Sequence, residues 1–192
     1  TGLFLPRTWC GVNGTGPGYA EDVDTVAQVK TVLSTHHPNL VLINVKQPDA
    51  AGHTGVWADY LKGIEASDGY AAEVWNTLQA DPYYAGQTAF FVAHDHGRHS
   101  DGVADGFVSH GDGCPGCRAV ALLALGPTFL QGVTLGSEGE EVDLPMTVAA
   151  LLGFPMGEAP GRPLLELLAD PNPFSRTSTQ RNFELGQAHF AR

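Results

Sequence analysis

The strongest constraint on the fold is a short apolar run that ends in side chains of the kind that bind metals. Residues 88–93 are uncharged and rich in residues that favour strands, as expected of a buried parallel strand. The polar segment that follows reads His94, Asp95, His96, Gly97, Arg98 and His99. Ligands of open α/β sheets gather just past the carboxyl ends of strands. The stretch therefore predicts a metal-binding platform, with a solvated polar loop as the alternative.

A second predicted strand ends in a similar way. Residues 39–46 are mostly Val, Leu and Ile, and a carboxylate and an imidazole follow them, four residues apart. An apolar stripe predicts a helix over 55–80, which would connect this strand to the one at 88–93. Such a βαβ unit builds parallel sheets, whose strands end at the same edge. We expect four side chains to meet on that rim: Asp49, His53, Asp95 and His96.

The rest of the chain predicts further elements of an α/β domain. Periodicity and turn residues indicate helices over 19–36, 143–152 and 163–169, and strands over 118–125 and 131–136. A glycine-rich polar loop over 100–116 carries His110 within reach of the rim. The expected organisation is an opening loop over 1–18, one domain over 19–169 and a C-terminal tail over 170–192.

Charge and hydropathy exclude several classes of partner. The 192 residues carry a formal net charge of -11, which argues against nucleic acid as the main partner because phosphate backbones require Lys and Arg. No run of eighteen apolar residues is present, so we expect no membrane span. No basic segment precedes an apolar one near residue 1, so we expect no signal peptide in this chain.

The chain has three cysteines, of which Cys114 and Cys117 form a Cys-x-x-Cys pair. The pair could be two loop thiols or a local disulfide. With a nearby histidine it could also bind structural zinc, which takes four ligands. A thiol redox function is disfavoured, because the pair precedes a strand instead of opening a helix after one.

The ordered set of Asp49 and His53, then Asp95-His96-Gly97, then His110-Gly111 resembles the C-terminal half of the alkaline phosphatase superfamily. That superfamily includes type I phosphodiesterases, sulfatases and metal-dependent phosphomutases. The resemblance runs from about Pro38 to Leu168. It implies a three-layer αβα sandwich with a mostly parallel central sheet, incomplete in this chain. It also implies a periplasmic or secreted protein.

The resemblance further implies a two-metal site that hydrolyses phosphate or sulfate esters of small molecules. Asp49, His53 and His110 would hold one ion, and Asp95 and His96 would help to hold the other. Zinc suits this set, and manganese or magnesium are alternatives. The remaining polar residues of the segment would support the ligands, contact the substrate or be bystanders: His94, Arg98 and His99.

The chain departs from the family pattern in one respect. Family members carry an N-terminal half with a metal-binding Asp and a Thr or Ser nucleophile, and no segment matches it here. Thr8, Thr15 and Ser109 lack the preceding strand and Asp. The alternative is therefore a catalytically inactive remnant that binds metal or forms homo-oligomers through exposed sheet edges.

Overall fold

The computed structural model describes residues 20–136, 138–157 and 159–170. These residues fall into two compact units. One contains 20–88 and 92–122, and the other contains 89–91 and the described residues from 123 to 170. The predicted opening loop over 1–18 and nearly all of the predicted tail lie outside the described residues.

Three helices form the first part of the unit that contains 20–88. They are α1 (Asp22–His36), α2 (Asp49–Gly52) and α3 (Trp57–Ala80). Helix α1 packs on α3 and buries Val26 and Leu33 on its inner face, while Val74 and Leu78 are buried on α3. The helices predicted over 19–36 and 55–80 are thus confirmed, although each begins slightly later than predicted. They form because their apolar residues recur at the helical period and face one side.

The remaining elements are short. They are β1 (Phe90–Ala93), a 3-10 turn (Gly106–Val108), α4 (Pro115–Arg118), β2 (Leu122–Leu125), α5 (Asp143–Leu152) and a second 3-10 turn (Leu165–Leu167). Strands β1 and β2 pair in a two-stranded sheet. The predicted strands over 88–93 and 118–125 are therefore present in shortened form, and α5 has the predicted bounds. The predicted strand over 131–136 is wrong, since these residues lie in bends and irregular backbone.

The predicted buried strand over 39–46 is also wrong. Residues 40–46 have no regular secondary structure, and Leu40 and Leu42 are exposed, Leu42 to 95%. A strand forms only when a neighbour pairs with its backbone N–H and C=O groups. Within the described residues the only sheet is the pair β1–β2, so this apolar segment has no strand beside it.

The unit that contains 123–170 is held by buried polar groups as well as apolar ones. Thr147 is 1% exposed; its hydroxyl donates to the Asp143 carbonyl (2.8 Å) and accepts the Leu164 N–H (2.9 Å). Phe129 forms an antiparallel bridge with Leu168, and its ring meets that of Phe91 edge to face. These contacts tie α5 and the segment after it into one core.

Together the described residues form a mixed α/β structure with a small sheet. This agrees with the α/β class, but neither a mostly parallel sheet nor a third layer is seen among residues 20–136, 138–157 and 159–170. Of the helices described there, none combines the length and the apolar character that crossing a bilayer requires.

Candidate metal centre

A chain of hydrogen bonds fixes the backbone that leads into Asp49, the first residue of α2. The buried carboxylate of Asp22 accepts the N–H groups of Lys46 (2.8 Å) and Gln47 (3.1 Å). The Ser67 hydroxyl on α3 donates to the Gln47 carbonyl at 2.9 Å. Helices α1 and α3 therefore hold the same short segment, and this segment sets the position of Asp49.

Two glycines allow the close approach of neighbouring groups. A Cβ on Gly63 of α3 would lie 3.1 Å from the Ala51 Cβ of α2, which is tighter than ordinary contact. A Cβ on Gly52 would lie 2.5 Å from the guanidinium carbon of Arg98. Both helices thus leave space that a side chain would fill, and Arg98 uses the second space to reach Asp49.

Three imidazoles surround one oxygen of the Asp49 carboxylate. The Nε2 atoms of His53, His96 and His110 lie 3.3, 3.8 and 3.2 Å from Asp49 Oδ1. His53 Nε2 and His110 Nε2 are themselves 3.2 Å apart. All four residues belong to the unit that contains 20–88 and 92–122. The ligand atoms of Asp49, His96 and His110 all lie within 4.8 Å of one another, and His53 lies beside Asp49 and His110. Carboxylates and imidazoles are ligand types that suit zinc and related divalent ions.

The rings of His96 and His110 lie closest together in this cluster. His96 and His110 stack with ring centroids 3.6 Å apart and an interplanar angle of 16°. Burial, followed by the charge of His96, lowers the pKa of His110. The His96 Nδ1 lies 2.9 Å from the Gly97 carbonyl, an acceptor, so Nδ1 donates to it and Nε2 is the ring nitrogen that faces Asp49.

Arg98 holds Asp49 and the loop before His110 in place through hydrogen bonds. Its side chain is 8% exposed, and Nη2 donates to the Asp49 carbonyl at 2.7 Å and contacts the Asp49 carboxylate. Nη1 donates to the carbonyls of Phe107 (3.0 Å) and Val108 (2.9 Å). The guanidinium carbon lies 5.3 Å from the ring centroid of Tyr60. One side chain therefore joins the loop before His110 to the start of α2.

The other sequence-predicted residues are spread around this cluster. Asp95 is exposed, and its Oδ1 lies 3.6 Å from His96 Nε2. His94 is exposed. His99 is buried and points to a different set of side chains, of which the sequence singled out only the cysteine pair: Asp105, Asp112, Cys114 and Cys117.

The cysteine pair has the character of structural thiols. Cys114 and Cys117 are both free, and Cys117 is buried. Burial, together with hydrogen bonds from its neighbours, raises the pKa of the Cys117 thiol to about 11. Because the thiolate is the reactive form, this agrees with the sequence argument against a redox role.

The Asp49 carboxylate, with three imidazoles close to it in a mixed α/β chain, defines a candidate metalloprotein. The family model described as the Metalloenzyme superfamily matches residues 13–155, which is more than half of the chain. The chain belongs to the Metalloenzyme superfamily, a member of the alkaline phosphatase-like group. The resemblance noted from the sequence is confirmed at this level. Searches of curated proteins and of solved structures found no match.

Proposed function

We propose that the chain carries the metal centre of a hydrolase that acts on phosphate or sulfate esters of small molecules. One observation carries the proposal: Asp49 Oδ1 lies 3.2–3.8 Å from the Nε2 atoms of three histidines in a chain of the Metalloenzyme superfamily. The superfamily indicates metal-dependent catalysis, and the ligand types fit a divalent cation.

The family resemblance supports the division of the ligands between two ions. Asp49, His53 and His110 would hold one ion, and His96, with Asp95 beside it, would contribute to a second. Imidazole-rich ligation favours zinc, while the exposed Asp95 carboxylate would also accept manganese or magnesium. When bound, divalent ions supply the positive charge that attracts an anionic ester and stabilises the charge developing on it.

The protein's own residues prepare this centre. Arg98 holds Asp49 by its backbone and its carboxylate, so the carboxylate is oriented before any ion arrives. The lowered pKa of His110 favours its neutral form, which lowers the cost of losing a proton when a metal binds. For a chain with a net charge of -11, bound cations would also give an anionic substrate a local site of attraction. The proposal includes the three-layer sandwich of the superfamily as the surrounding fold.

A second candidate is a metal-binding or self-associating module without turnover. Two observations favour it. The hydroxyls nearest the ligands in sequence are engaged: Ser109 donates to Asp105 at 2.6 Å, and Thr54 donates to the Ala51 carbonyl at 2.7 Å. In addition, the apolar side chain of Leu42 is almost fully exposed, which favours association with another surface.

An ester panel with and without metal distinguishes the two candidates. The chain would be assayed with p-nitrophenyl phosphate, bis-p-nitrophenyl phosphate and p-nitrophenyl sulfate after EDTA treatment and after restoring Zn²⁺, Mn²⁺ or Mg²⁺. A hydrolase turns over at least one ester only with metal, and Asp49→Ala and His110→Ala abolish that turnover. His36→Ala is the matched control, because His36 is an exposed histidine at the end of α1.

Each outcome of the ester assay supports or contradicts one of the two candidate functions. Metal-dependent turnover lost in Asp49→Ala and kept in His36→Ala supports the hydrolase. Metal binding without turnover of any ester by the folded chain contradicts it and supports the module. Turnover that survives both Asp49→Ala and His110→Ala would contradict both candidates, since the activity would then come from elsewhere.

A further inference from the structure

A second group of metal-binding side chains lies apart from the Asp49 cluster. His99, Asp112, Cys114 and Cys117 each offer one ligand atom, and these atoms all lie within 4.8 Å of one another. Four ligands of these types complete a tetrahedral zinc shell, in which ligand atoms are separated by roughly 3.3–3.8 Å given zinc bonds of about 2.0–2.3 Å. A small contraction of the present arrangement would reach those separations.

The His99 ring is oriented as a metal ligand. Its side chain is 7% exposed, and Nδ1 lies 3.0 Å from Asp105 Oδ1, an oxygen that also accepts the Ser109 hydroxyl at 2.6 Å. A proton on Nδ1 leaves the lone pair on Nε2. A carboxylate behind a ligating histidine is the usual way in which proteins fix that tautomer.

The second ring nitrogen of His99, Nε2, has no hydrogen-bond donor beside it among the described residues. Within the described residues, Nε2 is buried and has no hydrogen-bond partner. Its polar neighbour is Asp112 Oδ2 at 3.3 Å, which is another acceptor. A buried lone pair facing a carboxylate is unfavourable unless a proton or a cation lies between them. The buried, unpartnered Nε2 therefore points to a missing cation beside Asp112.

The two thiols lie beside His99 and Asp112, and hydrogen bonds hold their loop in place. Cys114 Sγ accepts the Cys117 N–H at 3.2 Å, and such bonds stabilise a thiolate. Asp112 Oδ1 accepts the Cys114 N–H at 3.0 Å, which leaves Oδ2 for His99 and a cation. The Gly97 N–H donates to the Cys117 carbonyl at 2.8 Å, so the thiol loop is joined to the segment that carries His96 and Arg98.

We propose that His99, Asp112, Cys114 and Cys117 form a closed structural zinc site, separate from the Asp49 centre. Binding releases the two thiol protons to solvent, and zinc then bonds both sulfurs, His99 Nε2 and one Asp112 oxygen. Four protein ligands leave no open position, so the site has no catalytic role. Its effect is to fasten the loop over 112–117 to the strand end that carries the Asp49-facing ligands.

Cobalt substitution on the full chain tests the site. Thiolate ligation of tetrahedral Co²⁺ gives a sulfur-to-metal charge-transfer band and intense d–d bands. We expect these bands in the wild type and in Asp49→Ala/His110→Ala, which disables the other centre, and in Cys10→Ser. We expect them to disappear in Cys114→Ser/Cys117→Ser, with a loss of zinc affinity of more than about 100-fold. Asp105→Asn, which acts through His99, should lower zinc affinity by about 10- to 100-fold while keeping the bands.

Wild-type measurements keep the test decisive if the double serine variant fails to fold. X-ray absorption on the zinc-loaded wild type should show two sulfur neighbours at about 2.3 Å. Zinc should protect two of the three cysteines from alkylation. Only nitrogen and oxygen around zinc, or full alkylation at saturating zinc, would overturn the proposal, and neither result depends on ester hydrolysis.

Discussion

Arg98 and Asp49 form the central contact of the candidate metal centre: the guanidinium touches both the carboxylate and the backbone carbonyl of Asp49. The same guanidinium binds two carbonyls of the loop before His110. A single buried cation therefore sets the relative positions of two ligands that are distant in sequence. It also partly neutralises the carboxylate on which the imidazoles converge.

Replacing Arg98 should weaken metal binding without removing any ligand. Arg98→Lys keeps the charge but lacks the planar fork that serves three residues at once. We expect Mn²⁺ affinity to fall by about 10- to 100-fold, as for other groups that orient ligands. Mn²⁺ is the probe because thiolate sites select zinc over manganese. The control is Arg162→Lys, which alters an exposed pair with Glu166; equal affinities in the two variants would contradict the assigned role.

The buried hydroxyl of Thr147 should contribute measurably to stability. Thr147→Val keeps the shape but leaves the Leu164 N–H without its acceptor in a buried position. The free energy of unfolding should fall by about 1–3 kcal/mol, measured by urea denaturation. Thr31→Val is matched, since Thr31 also donates to a carbonyl four residues earlier but is exposed; it should change the free energy by less than about 0.5 kcal/mol.

Two leucines of opposite exposure test the packing of the helical unit. Leu33 is 4% exposed between α1 and α3, and Leu33→Ala should cost about 2–5 kcal/mol of unfolding free energy. Leu42→Ala should change it by less than about 0.5 kcal/mol, because that side chain gains little by folding. A large effect at Leu42, with a dependence on protein concentration in the denaturation midpoint, would show that another copy covers it in solution.

Acid should remove a contribution that Asp143 makes at neutral pH. The N–H groups of Glu140 and Arg162 donate to its carboxylate and lower the pKa of Asp143 below its ordinary value of 3.8. A depressed carboxyl pKa stabilises the fold above the unfolded value, and this stabilisation is lost as pH falls through the folded value.

The measurement is thermal unfolding of wild type and Asp143→Asn between pH 7 and pH 2.5. The variant should melt lower at pH 7, and the gap should narrow below about pH 4. Asp59→Asn is the control, because Asp59 is exposed and pairs with the exposed Lys62. A gap that stays constant down to pH 2.5 would show that the charge of Asp143 makes no contribution.

The sequence predicted the helices over 19–36, 55–80 and 143–152 well, but the strands over 39–46 and 131–136 are absent and the helix over 163–169 is only a 3-10 turn. Helices α1 and α3 could be predicted because the spacing of apolar residues is visible within each helix's own sequence. The end of α5 could be predicted in the same way, because Gly153 follows its last residue. The run over 39–46 has every local property of a buried strand, yet a strand requires a partner, and no local pattern reveals whether that partner is present. Leu42 is therefore exposed where the pattern predicted burial.

The candidate site also contains residues that the sequence could identify and others that it could not. The predicted elements put Asp49, His53, Asp95 and His96 at one rim with His110 within loop reach. The structure brings Asp49, His53, His96 and His110 together, with Asp95 exposed beside His96. Spacing indicated Cys114 and Cys117 with an unspecified nearby histidine, but it did not identify His99 or its acidic partners. They depend on the path of a glycine-rich loop, in which a Cβ on Gly116 would meet the Ser100 nitrogen at 2.9 Å. Such contacts are set by tertiary packing.

The decisive measurement is the affinity of Mn²⁺ for four chains in parallel: the wild type, Asp49→Ala, His110→Ala and the control His36→Ala. We predict that the wild type and His36→Ala bind Mn²⁺ with the same affinity, and that both ligand variants lose more than about 100-fold while remaining folded by circular dichroism. Unchanged Mn²⁺ binding in folded Asp49→Ala and His110→Ala would show that these residues hold no metal.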